Sequence, residues 1–153
     1  MEKEALKKAI KRSISEVLET MFFLPLEFPE GQGEEMPGKG GNGKVLVTKL
    51  SFRGPFSGEF FFFIPEDLTL SLTASFLGEE TSKVTRAHAT DMAKEIVNMI
   101  AGNAFSILDD KGLYDLGIPE ILENRGMGAE KGGITIPIRT VDSSLAIRLV
   151  LTT

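Results

Sequence analysis

Apolar residues recur at Leu6, Ile10, Ile14, Val17, Leu18 and Met21. These spacings of three and four predict an amphipathic helix over 4–21. Lys7, Lys8, Lys11 and Arg12 alternate with that stripe and read as the helix's wet face rather than as a membrane or nucleic-acid patch. Pro25, among the aromatics Phe22, Phe23 and Phe28, favours a helix end followed by extended chain. Strand-like alternation runs from Lys44 to Arg53, with Val45, Val47 and Lys49 set against Leu46, Thr48 and Leu50. Gly54-Pro55 turns the chain, and Gly58 to Ile64 reads as the second strand of an antiparallel hairpin. Its run of phenylalanines, Phe60 to Phe63, predicts burial on both faces. Pro65-Glu66-Asp67 opens a helix, because proline suits a first turn and acids there favour the dipole. Leu68, Leu72 and Phe76 carry it to Gly78, a natural stop. A long helix is predicted over 83–108, its apolar face formed by Ala93, Ile96, Val97, Ile100, Ala104 and Ile107. After Asp109 to Gly112 the chain reads as irregular through Gly117, Pro119 and Gly126. Two closing strands, 134–140 and 144–151, are joined at Asp142-Ser143. Three helices and about five strands in paired hairpins predict an α+β fold, an antiparallel sheet packed against helices.

The 153 residues suit one domain spanning 1–153. Six glycines and Pro37 within 31–43 predict a flexible loop there. That loop is not a phosphate-cradling P-loop, because Gly43-Lys44 is followed by Val45 and a strand instead of Ser or Thr and a helix. A net charge of −5 argues against nucleic acid as a partner. Cysteine is absent, which removes disulfides, thiolate catalysis and Cys-based zinc sites. The single His88 makes a histidine triad or a multi-histidine metal site hard to build. Without an apolar run near the ~20 residues that span a bilayer, and with a charged N-terminus, the expected compartment is the cytoplasm.

The long helix carries one further pattern. At about 100° per residue, with Asp91 at zero, Glu95 falls near +40°, Asn98 near −20° and Gly102 near +20°. The apolar residues centre on the opposite side. Asp91, Glu95, Asn98 and Gly102 therefore form one polar line on the solvent face. The line contains no lysine or arginine, although Lys94 is close by. Asn98 is a mediocre helix former, and Gly102 costs about 1 kcal/mol against alanine in a helix interior. A glycine on an exposed line lets another backbone approach, and Met99 beside it suits a docking surface. Physical chemistry thus marks a partner-binding face without naming a reaction. His88, near +60° by the same count, fits a surface or capping histidine better than a pH-sensitive edge contact.

Asp91-Met92-Ala93-Lys94-Glu95-Ile96-Val97-Asn98 resembles the acid-x-x-x-Glu-x-x-Asn signature of the CheC/CheX/FliY phosphatases of bacterial and archaeal chemotaxis. The run Glu95 to Ala104 looks like the CheX branch, as does Glu16-Val17-Leu18-Glu19-Thr20-Met21-Phe22-Phe23. Gly58 to Pro65, followed by a helix ending Phe76-Leu77-Gly78, is similar to that family's strand-Pro-helix-Leu-Gly order. The resemblance covers roughly 5–152 and includes one copy of the signature, as in CheX-like proteins. The family's downstream proline corresponds to Pro119, one residue short of the usual spacing.

The resemblance implies a CheC/CheX-like sandwich and a homodimer. It implies a protein phosphatase acting on the phospho-aspartate of a CheY-like response regulator in two-component signalling. No cofactor of its own is implied, the Mg²⁺ being supplied by the receiver domain. Asn98 would orient the attacking water, a task for a group that donates and accepts without titrating. Glu95 would engage the receiver's lysine. Asp91 would lie at the edge of the docked surface, with Met99 and Gly102 beside it. The alternative is a non-catalytic receiver-binding module or a flagellar-switch-like structural domain.

Overall fold

The computed structural model describes residues 3–29, 44–108, 112–122 and 133–152. The glycine-rich loop expected at 31–43, residues 109–111 and Gly126 lie outside the described residues. Helix α1 (Lys3–Ser15) runs directly into a wider π-helical segment, Glu16–Met21, so the predicted helix is present with its last turns loosened. Leu24 N–H reaches back to Leu18 O at 3.0 Å to close it. Phe23, just beyond, takes the left-handed conformation with φ 53°.

The hairpin is formed by β1 (Val45–Arg53) and β2 (Gly58–Pro65), in register from Val45 opposite Pro65 to Phe52 opposite Gly58. Gly58 is required there, because a Cβ would collide with the Val150 carbonyl. Helix α2 (Glu66–Leu77) stops at Gly78, whose φ of 68° is the left-handed geometry that glycine adopts without strain. A 3₁₀ turn, Thr81–Lys83, leads into α3 (Arg86–Leu108), which starts three residues later than its apolar period predicts. Thr85 and His88 set that start: Thr85 N–H donates to His88 Nδ1 at 3.3 Å, and His88 N–H donates to Thr85 Oγ1 at 3.2 Å. This reciprocal cap satisfies two amides at the helix end. His88 is thus a capping histidine.

The stretch expected to be irregular contains two short strands, β3 (Asp115–Leu116) and β4 (Glu120–Leu122), both antiparallel to β1. Strands β5 (Ile134–Arg139) and β6 (Ser144–Leu151) complete a six-stranded antiparallel sheet of order β3-β1-β2-β6-β5, with β4 also on β1. Both main-chain groups of Arg139 point away from β6 and pair with Glu27 at 2.9 Å. Pro137, two residues earlier on this border strand, faces the same way by the period of two.

Helices and sheet enclose the main core. Leu46, Leu50, Phe52, Phe60, Phe62 and Ile64 meet the buried faces of α1 and α3. The opposite sheet face buries Val47, Phe61, Phe63 and Ala146. The four phenylalanines of β2 therefore divide between two cores, as their unbroken run predicts. On α3, Ala89, Ala93, Ala101 and Ala104 are fully enclosed, and such small residues let neighbouring elements come close. Phe105 anchors the far end of α3, stacking on Tyr114 at 4.1 Å between ring centres and packing on Phe52 at 4.8 Å. Among the described residues no helix is long and apolar enough to cross a membrane.

Candidate functional site

The polar line of α3 survives intact in three dimensions. Asp91 and Glu95 are exposed, while Asn98 and Gly102 are half-buried. Between them Ile96, Val97 and Ile100 point into the core and fix the helix's rotation. Burial of these large aliphatic side chains contributes on the order of 1.5–3 kcal/mol each. That anchoring is what holds Glu95 and Asn98 on the outside. Among the described residues, Asp91, Glu95 and Asn98 make no hydrogen bond or ion pair. Lys94, the obvious neighbour for Glu95, is not paired with it. Among the described residues a carboxylate and a carboxamide thus stand three residues apart without a hydrogen-bond or ion-pair partner.

Two residues at the line, Met99 and Gly102, have neighbours within their own chain. Met99, beside the line, is half-buried instead of exposed and packs on the main core. Its place on the wheel, at about +80° from Asp91, turns its flexible thioether toward the packed side. Gly102 has a neighbour from its own chain. A Cβ there would lie 3.9 Å from Leu116 Cδ1, so β3 borders the line at this level. That distance is ordinary van der Waals contact, and a methyl group fits.

Next to Gly102 is a network that local spacing does not reveal. Asn103 Nδ2 donates to Glu16 Oε2 at 2.7 Å, and Arg12 Nε donates to Glu16 Oε1 at 3.1 Å. The Asn103 hydrogen bond, and after it the Arg12 contact, hold the Glu16 carboxyl below the usual glutamate range. A second link is buried: Ser13 Oγ donates to Ile100 O at 2.6 Å. Both tie α1 to the helix that carries the line. The partners are 87 residues apart, so no periodicity could have found them. Among the described residues, no three His, Asp or Glu side chains gather as a metal site.

The fold is an antiparallel sheet packed against helices, and its long helix carries a carboxylate and an amide that have no partner among the described residues. The family model for the chemotaxis phosphatase CheX matches residues 46–139, more than half of the chain and including the whole polar line. The chain belongs to this CheX chemotaxis phosphatase family. No curated protein matches it in sequence. Among solved structures, the chemotaxis protein CheX from Vibrio vulnificus is 22% identical with a TM-score of 0.74, over 95% of both chains. A CheC-like superfamily protein from Shewanella sp. PV-4 is 21% identical with a TM-score of 0.76, over 100% of both. CheX from Borrelia burgdorferi, crystallised as a complex with CheY, BeF₃ and Mg²⁺, is 17% identical with a TM-score of 0.70, over 96% of this chain and 97% of that one. At these identities the likeness shows a shared fold.

Proposed function

We propose that this phosphatase hydrolyses the aspartyl phosphate of a CheY-like receiver domain, with Asn98 and Glu95 as its working residues. One observation carries the reading: Glu95 and Asn98 share an open helix face and make no hydrogen bond or ion pair among the described residues. An acyl phosphate is already labile, so its hydrolysis depends mainly on a water held in line with the scissile bond. The Asn98 amide can donate to one partner and accept from that water at the same time. Glu95, one turn back, would grip a lysine of the receiver in a charge-assisted contact that sets the register. Asp91, exposed on the same face, would meet the receiver's edge. The Mg²⁺ of the reaction belongs to the receiver. The Borrelia burgdorferi protein of the same fold was captured with CheY and BeF₃, which supports a receiver as the partner.

The test is phosphate release from a phosphorylated CheY with wild type and Asn98→Ala. Acceleration by the wild type alone is expected. Equal rates would mean a binding module without catalysis.

A further inference from the structure

Opposite β1, the border segment carries one residue too many. Phe52 faces Leu116 and Lys49 faces Glu120, so three steps along β1 are matched by four on the other side. Gly117 N–H still bonds Ser51 O at 2.7 Å. The extra residue therefore lies at Ile118-Pro119, both set against Leu50, which makes a β-bulge. Pro119 has no N–H to lose there, which suits it to an unpaired position. The far side of the bulge is also fixed, by Lys49 Nζ to Glu120 Oε1 at 3.2 Å and to Glu59 Oε2 at 3.4 Å.

The bulge has a consequence for one side chain. Ile118 is 90% exposed, the most exposed large apolar residue among the described ones. A single exposed isoleucine is unremarkable by itself. This one is placed by a built irregularity, and bulges commonly re-aim a side chain beside a working site. Its position is bracketed on both sides: Leu116 touches the Gly102 level of α3, and β4 packs on the same helix. Two residues of extended chain separate Ile118 from Leu116, about 7 Å.

We infer that the bulge presents Ile118 as an apolar anchor that seats the receiver domain against the Glu95–Asn98 face. This rests on the receiver-phosphatase reading, because a receiver lying over Asn98 and Gly102 extends across this flank. Charged contacts along α3 set the register, and a desolvated isoleucine at the flank adds affinity.

Binding of beryllofluoride-activated CheY, with Mg²⁺, is titrated against wild type, Ile118→Asp, Ile118→Leu and Asn98→Ala, together with phosphate release over a range of receiver concentrations. Ile118→Asp is expected to weaken binding about tenfold or more. Its rate loss should be recovered at saturating receiver, and Ile118→Leu should bind as wild type does. Wild-type affinity in a folded Ile118→Asp protein overturns the inference, as does absence of any wild-type binding. Equal phosphate release by wild type and Asn98→Ala would instead overturn the catalytic reading, while weakened binding by Ile118→Asp would still support the anchor.

Discussion

Ser13 and Ile100 are joined by a buried 2.6 Å hydrogen bond from the Ser13 hydroxyl to the Ile100 carbonyl, two residues beyond Asn98. The bond registers α1 against the helix that carries the polar line. Ser13→Ala should lower stability by about 1 kcal/mol, the usual net value of such a bond. Urea unfolding measures it. Because Ile100 O also accepts from its own helix, a loss far above that value would mean the hydroxyl has a further role.

Asn98→Ala should remove phosphate release from a phosphorylated receiver by on the order of 100-fold, the usual consequence of misplacing a reacting group. Its unfolding midpoint should not fall, since alanine is the best helix former. Glu95→Ala should weaken receiver binding by a charge-assisted contact, about 1.5–3 kcal/mol. Calorimetry on the activated receiver would measure this, and unchanged affinity would remove Glu95 from the interface.

Gly102→Ala should stabilise the protein by up to about 1 kcal/mol, because α3 gains helix propensity and the new methyl meets only Leu116 at contact distance. Gly102→Trp should instead cover the line and lower receiver affinity while the protein stays folded. Thermal unfolding and binding measured on both variants separate the two effects. Equal binding by Gly102→Trp would mean that nothing approaches α3 at this point.

Glu16 provides a pH-dependent link between α1 and α3. Its folded carboxyl is held below the ordinary value, first by Asn103 and then by Arg12. The sign follows: the stabilisation is complete above the unfolded value and is lost as pH falls through the lowered folded one. Asn103→Ala should move the Glu16 titration upward toward the ordinary glutamate range, as followed by NMR of the side-chain carboxyl. A Glu16 titration unmoved in Asn103→Ala would show that Arg12 alone sets it.

Phe23 occupies a left-handed backbone position at φ 53° and is 83% exposed. Phe23→Gly should relieve a cost of about 1 kcal/mol for that geometry. A higher urea midpoint is the expected result, and a lower one would show that the ring's contacts outweigh the backbone cost.

Most of this fold is legible because its elements are long enough to show a period. The 23 residues of α3 repeat their apolar face several times, and that repetition also places Asp91, Glu95 and Asn98 on the outside. Strands β3 and β4 have two and three residues, too few to alternate, and their pairing is dictated by β1 some 70 residues away. The same non-locality hides Glu16–Asn103 and Ser13–Ile100. Met99 is less exposed than expected because a wheel gives an angle and not the depth of the neighbouring elements. The roles proposed for Glu95 and Asn98 come only from family resemblance, since an acid and an amide on a wet helix face specify no reaction by themselves.

The border strand β5 has a bearing on how copies of this chain can assemble. Arg139 has given its outward amide to Glu27, and Pro137 has none to give. Only Thr135 keeps a donor facing outward between Ile134 and Arg139. An incoming strand would find few backbone donors among the described residues of this border, which makes it a poor edge for extending the sheet.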